Sequence, residues 1–349
     1  MMAVALAARS QTVVSGVVKD RQTGHVLSRV SISAEGALAH TVTNDDGRFV
    51  LRTAQCPKYI QLSHIGYKTR RLPLQAGATE LLQVLMTVSN VQLDEVSAQG
   101  GLPALEAILR AAMSRIGSNY PQDNELVRCF YRETVRRGSR FIAVAEAVTE
   151  MFKTGYGEGP ERDGVAIMKG RRLMSMRSRD TLGVKIRGGP VLPLMVDVAK
   201  NSDYLLNEEQ LANCNLRLAV PARIDDRLHY VVVLQPKAAT PYPMLGGQLY
   251  IDQESLTITR AELSLDVSDW RKASDYMLVS KPAGLRFRPK ELTVTVAYTT
   301  DQHGVTRMSY VRNEMRFNCD WKRRLFNHTF CTVSEMVVTD RLRQGREAR

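Results

Sequence analysis

Between Thr12 and Thr87 no apolar pattern runs longer than a short strand before turn-forming residues stop it, and this constrains the chain more than any other feature. Val13, Val14, Val17 and Val18 open the run, and Asp20-Arg21-Gln22-Thr23-Gly24 breaks it. Val30, Ile32 and Val42 continue it up to Thr43-Asn44-Asp45-Asp46-Gly47. Asp-Gly between β-formers is a strong hairpin signal, because glycine supplies the positive φ of a tight turn. After it, Phe49 and Leu51 alternate inward with Val50 and Arg52 outward. Tyr59, Ile60 and Leu62 form a further strand that stops by Gly66, and Leu81 to Met86 closes the series. About seven short strands in so few residues predict a β-sandwich, with Asp46, Gly47 and Gly66 as its structural turn residues.

The N-terminus bears on compartment. Ala3 to Ala8 is apolar, and Ala8 and Ser10 are small residues at the −3 and −1 positions of a cut before Gln11. This reads as the remnant of a secretory signal, so an exported protein is expected. No cysteine follows the cut, so a lipid anchor is not expected. No apolar run reaches the ~18 residues of a membrane-spanning helix.

The motifs Ser15 to Asp20, Thr23-Gly24, Val30-Ser31-Ile32, Thr43 to Phe49 and Ser63 to Lys68 resemble, in order and spacing, the carboxypeptidase-like regulatory domain. Asn44 stands where that family often has Asp. The resemblance implies a transthyretin-like fold that serves as an accessory module without peptidase activity. The same family forms N-terminal extensions of Bacteroidetes TonB-dependent receptors, and Leu93-Asp94-Glu95-Val96 is similar to the junction that precedes their plug.

Beyond Gly100-Gly101, Leu102, Leu105, Leu109, Ala112, Met113 and Ile116 share one helical face, with Pro103 in the first turn and Gly117 as the stop. The face is expected to dock on the next sheet. From Tyr120 onward the reading is antiparallel: Leu126–Arg136 and Phe141–Phe152 around a turn, a loop at 154–164, irregular short helices at 189–212, then about eight strands from Leu216 to Val338. Tyr276–Val279 is one of these expected strands. The fold class is therefore mainly β: an N-terminal sandwich plus a larger antiparallel curved sheet or half-barrel, with a short helical connector. Expected segments are 1–11 (signal remnant), 12–88 (sandwich), 89–120 (linker and helix), 121–340 (β-rich domain) and 341–349 (charged tail). Phe130 to Glu133, Lys169 to Arg172, Gly247 to Asp252 and Tyr310 to Glu314 resemble an uncharacterised region that follows the regulatory domain in Bacteroidetes proteins. Gly247-Gln248-Leu249-Tyr250-Ile251-Asp252 is also similar to half-barrel carriers of the lipoprotein-sorting type.

Catalytic signatures are absent. No Gly-x-Ser-x-Gly elbow, phosphate loop or dinucleotide fingerprint occurs, and none of the six histidines forms HxxE or HExxH. Cys56, Cys129, Cys214, Cys319 and Cys331 have no metal-ligand spacing; Cys319 and Cys331 flank one hairpin and can pair, but buried free thiols are the favoured expectation. Neither metal nor cofactor is expected. Glu133, Glu146 and Glu150 are the available acid pairs for a glycosidase, weighed against pairing with Arg132, Arg136 or Arg140.

The chain carries 48 basic and 36 acidic residues, a net charge of +12. The densest cluster is Lys169, Arg171, Arg172, Arg177 and Arg179, continuing to Lys185 and Arg187. These residues, with Trp321 at the start of the 321–326 hairpin tip, are the candidate binding residues. Their candidate partners are an outer-membrane transporter, an anionic glycan or an anionic lipid surface. Nucleic acid is not expected, because no aromatic residues interleave the basic ones for base stacking. The leading functional expectation is a non-catalytic accessory or binding protein of the periplasm or outer membrane. Its alternative is a carrier of a lipid or other apolar ligand in a curved sheet, and a glycoside or peptide hydrolase is third.

Overall fold

The computed structural model describes residues 12–34, 39–53, 56–75, 81–89, 102–175, 182–237, 240, 242–321 and 328–342. The expected signal segment, the Leu93 to Val96 junction, Arg177, Arg179 and most of the charged tail lie outside these. So do residues 322–327 and the side chain of Trp321. The chain divides into two compact units: Met1–Gln92 with Arg223–Arg227, and Leu93–Ala222 with Leu228–Arg349.

The first unit contains β1 (Thr12–Asp20), β2 (Ser31–Ala34), β3 (His40–Val42), β4 (Arg48–Thr53), β5 (Tyr59–Ser63), β6 (Arg70–Pro73) and β7 (Leu82–Met86). They form two sheets, ordered β4-β1-β7 and β3-β2-β5-β6. The central β1 runs antiparallel to β4 and parallel to β7. Val18, Val30, Ile32, Phe49, Leu51, Ile60, Leu62, Val84 and Met86 fill the core. Asp46-Gly47 is a turn but not a hairpin turn, since β3 and β4 belong to different sheets. The Asn44 side chain accepts from the amides of Asp46 and Arg48 at 3.0 and 2.9 Å, which bends the chain from one layer into the other. Gly47 has φ +69° there, and Gly66 has φ +77° in the turn after β5.

The second unit opens with helices α1 (Leu102–Ser114) and α2 (Ile116–Asn119). Gly117 lies inside α2 and not past a helix end. The strands are β8 (Glu125–Arg137), β9 (Arg140–Lys153), β10 (Gly164–Met174) and β11 (Lys185–Ile186), and helices α3 (Leu192–Met195), α4 (Ser202–Leu205) and α5 (Glu208–Ala212) follow. Next come β12 (Cys214–Ile224), β13 (Arg227–Pro236), β14 (Leu245–Asp252), β15 (Ile258–Leu265) and α6 (Trp270–Met277), then β16 (Leu278–Ser280), β17 (Leu285–Thr300), β18 (Thr306–Trp321) and β19 (Thr329–Leu342).

One antiparallel ten-stranded sheet dominates, ordered β10-β9-β8-β19-β18-β17-β15-β14-β13-β12. It is two meanders joined where the last strand, β19, pairs with β8. The sheet is curved but open, and its edges β10 and β12 manage their free ladder groups locally. A bulge between Ile167 and Lys169 and the cations Lys169, Arg171 and Arg172 mark β10, and Pro221 lies in β12. The expected strand at Tyr276–Val279 is replaced in part by α6. Asp269 caps that helix by accepting from the amides of Arg271 and Lys272, and Ala273 and Met277 bury one face at helical spacing.

Alternation gives the large sheet an inner face that carries Val127, Cys129, Tyr131, Met151, Val294, Val296, Val311, Met315, Phe317 and Met336. Leu105, Leu109 and Ala112 of α1 belong to the same core, as do Leu194, Val198, Leu206, Ala273 and Met277. The α1 stripe docks on the sheet as its spacing predicts. Helices therefore cover the inner face, and the outer face is free for polar side chains.

Candidate functional site

The helical cover is fastened by a buried polar cluster. Lys153, the last residue of β9, donates to Asp197 Oδ2 at 2.5 Å. Tyr156 donates to the same oxygen at 2.9 Å, and Tyr298 of β17 donates to Asp197 Oδ1 at 2.8 Å. Tyr120 stacks on Tyr156 with ring centroids 4.8 Å apart, and its hydroxyl donates to the Ile258 carbonyl. Lys200 donates to Thr154 Oγ1 and to the carbonyls of Thr154 and Gly155. Burial, followed by the Asp197 charge, holds the Tyr156 and Tyr298 hydroxyls well above the ordinary tyrosine range. Every Asp197 oxygen is used inside the protein, so this cluster fixes the 194–201 segment to the sheet and is closed to substrate. Its sequence signal is Asp197 within Leu192 to Ala199, an acid in an apolar run that must find buried partners.

The cover stops before the sheet does. Register puts Thr149, Ala147, Ala145 and Ala143 of β9 on the inner face, continued on β10 by Ile167, Gly170, Arg172 and Met174. Ile167 and Met174 are 62% and 59% exposed. A Cβ built on Gly170 would lie 3.7 Å from both Ala147 and Ile167, so this surface is low and continuous. The chain at 188–189 lies over β8. A Cβ on Gly188 would come 3.7 Å from Glu133 Oε2, and the Gly189 amide faces the Tyr131 hydroxyl. Just beyond it, Val191 and Met195 are exposed. The result is an apolar shelf of small side chains along the open margin of the inner face.

Glu146 and Glu150 share the outer face of β9, and Glu133 separates from both. Glu146 pairs across β8 with Arg132, which makes it an outer-face residue, whereas Glu133 pairs in register with the inner-face Ala145. The two carboxylates therefore lie on opposite sides of the sheet and cannot flank one scissile bond. Glu133 accepts from the Tyr131 hydroxyl at 2.7 Å. Glu146 meets Arg132 at 3.6 Å and Arg171 at 2.5 Å, and Glu150 meets Arg128 at 2.8 Å.

These pairs begin a row across the outer face: Arg171, Glu146, Arg132, Glu335, Arg312, Thr295, Glu262 and Gln248 are successive register partners on eight strands. Arg312 bonds Glu335 and Glu314 at 2.8 and 3.1 Å, and Tyr310 donates to Glu335. The basic cluster is thus split. Arg171 and Lys169 face outward and Arg172 inward, while Arg177 and Arg179 lie outside the described residues. Trp321 pairs with Leu285 through the backbone at the end of β18.

Cys319 and Cys331 are free thiols. Cys331 is opposite Arg316, three residues out of step with Cys319, so their side chains leave opposite faces. Among the described residues no three His, Cys, Asp or Glu side chains gather to hold a metal ion. No described helix is long and apolar enough to cross a membrane.

Three solved structures overlap the chain at low similarity. A LolA superfamily protein from Nitrosomonas europaea is 17% identical, covering 68% of this chain and 94% of its own, with a TM-score of 0.22. The MucA/MucB complex structure of Pseudomonas aeruginosa gives 13% identity, coverages of 69% and 99% and a TM-score of 0.20. A DUF1329 family protein from Desulfovibrio piger gives 12%, 66% and 90%, with a TM-score of 0.26. Overlaps this loose transfer neither architecture nor ligand. No curated protein matches the chain. Residues 14–97 match the family model described as CarboxypepD_reg-like domain, the family that the motifs of this segment resemble.

Proposed function

We propose that this chain is an exported, non-catalytic binding protein whose larger domain carries an apolar ligand of the acyl-chain class. The N-terminal sandwich serves it as an accessory module. One observation supports this reading above the others: the apolar inner face runs past the end of its helical cover. Ala143, Ala145, Ala147 and Gly170 form a low floor, bordered on β10 by exposed Ile167, Arg172 and Met174. Exposed apolar surface that continues a core is costly unless something occupies it. Small side chains leave room above the sheet, and α3 of the cover runs from exposed Val191 at its N-cap to exposed Met195 at its end.

The test is titration of the full chain with the apolar fluorophore N-phenyl-1-naphthylamine, followed by displacement with lauric acid. Saturable binding is expected, at least tenfold weaker in Ala145→Asp with the far-ultraviolet circular dichroism unchanged. A wild-type chain that gives no saturable signal, and no co-purifying lipid in native mass spectrometry, overturns the proposal.

A further inference from the structure

The shelf has a polar end. Following the register inward from the β10 edge, the inner-face row reads Arg172, Ala145, Glu133, Ser334, Asn313, then apolar Val294 and Leu263. Strands are about 4.8 Å apart, so Glu133 and Asn313 stand about 10 Å from one another with the short Ser334 between them. Glu133, Ala145 and Ser334 are half-buried, so solvent reaches this part of the row. Asn313 is 4% exposed, and its Oδ1 has no hydrogen-bond partner. Such a group is expensive to leave unsatisfied, and an amide oxygen is satisfied only by a donor. Asn313 sits on a face otherwise built of Val294, Met315 and Val311, where an apolar residue would serve packing better. Glu133 gives one lone pair to Tyr131 and keeps its remaining acceptor capacity.

An acceptor-rich row that continues an apolar shelf recognises an amphiphile by a head that donates. The geometry points to an apolar ligand with a primary ammonium group, held over Ser334 between Glu133 and Asn313. Arg172, at the open end of the same row, is placed for an anionic group a few bonds away from that amine. A zwitterionic phosphoethanolamine head combines both charges in this order. A carboxylate head meets Glu133 with like charge, and a quaternary ammonium has no N–H to give Asn313.

This inference rests on the apolar-ligand reading, and the experiment separates the two. The full chain, loaded with N-phenyl-1-naphthylamine, is titrated with lauroyl lysophosphatidylethanolamine, lauroyl lysophosphatidylcholine and laurate, each below its micellar concentration. The lysophosphatidylethanolamine is expected to displace the probe at least tenfold more tightly than the lysophosphatidylcholine, which differs only in the three methyl groups on nitrogen. Glu133→Gln and Ser334→Val are each expected to reduce that ratio to threefold or less while probe binding itself is retained. Asn313→Leu is a second route to the same loss, and it removes an unsatisfied group without removing packing volume. Equal displacement by the two lysolipids, with probe binding intact, overturns the headgroup assignment and leaves the apolar site standing. Failure of every ligand and of the probe overturns both. A tenfold preference that survives Glu133→Gln and Asn313→Leu also overturns the assignment, because the selecting groups then lie elsewhere.

Discussion

Lys153 and Asp197, 44 residues apart in sequence, meet at 2.5 Å with their side chains 5% and 0% exposed, so the pair is sealed from water. A charge left alone at this depth is far costlier than the pair is stabilising. Asp197→Asn or Lys153→Met alone should cost about 3–5 kcal/mol, read from urea denaturation midpoints. The double variant Lys153→Met/Asp197→Leu should recover most of that loss. Single variants within about 1 kcal/mol of wild type would refute the sealed-pair description.

Alkaline pH should unfold the protein through its buried acids. Burial raises the Cys129 thiol from 9.0 to about 12. Its folded value exceeds its unfolded one, so its contribution is whole below pH 9 and is lost as pH rises from 9 to 12. Stability should fall there by up to about 1.4 kcal/mol per pH unit for this group. Urea midpoints at pH 8, 9 and 10 should fall less steeply for Cys129→Ala than for wild type. The buried tyrosine hydroxyls, raised in the same sense, add their losses at higher pH.

The outer-face charge row should be worth little at its margin and more at its centre. Arg171 is 74% exposed where it meets Glu146, so Glu146→Gln should cost below about 1 kcal/mol. Arg312 is 13% exposed and serves Glu335 and Glu314 together. Arg312→Met should therefore cost about 2–3 kcal/mol, since it takes the shared cation from two carboxylates. Thermal denaturation of both variants gives the comparison, and equal costs would contradict it.

Gly24 and Gly47 share a positive φ, +71° and +69°, but differ in surroundings. A Cβ on Gly24 meets nothing within 4 Å, whereas one on Gly47 meets the Val18 carbonyl at 2.7 Å and Val26 Cβ at 2.9 Å. Gly24→Ala should cost about 1 kcal/mol of backbone strain. Gly47→Ala should cost at least about twice that, because the chain itself must move. Melting temperatures of the two variants check the ranking.

The first unit was legible because its strands are covered on one side only. Phe49 and Leu51 inside, with Val50 and Arg52 outside, is a pattern that any turn-bounded reading finds. The layer change at Asp46-Gly47 was not legible, because a turn signal tells that the chain reverses and not which strand receives it. The α1 face was plain from spacing, but α6 was hidden by β-formers at Tyr276 to Val279 that follow its own cap at Asp269. The split of Glu133 from Glu146 follows from register, which no single strand carries. The polar cluster on Asp197 and the row ending at Asn313 join segments that lie far apart in the chain, so local pattern names their members without joining them.

The charge row on the outer face also has a consequence for how the sheet finds its pairing. Apolar alternation repeats every two residues, so it rejects a slip of one but is blind to a slip of two. A two-residue slip of β9 would set Val144 or Val148 against Arg132 and strand Glu146, with every buried residue still buried. Arg171, Glu146, Arg132, Glu335 and Arg312 therefore act as a vernier, a second scale laid across the first, on which only one alignment of five strands brings every mark to its opposite.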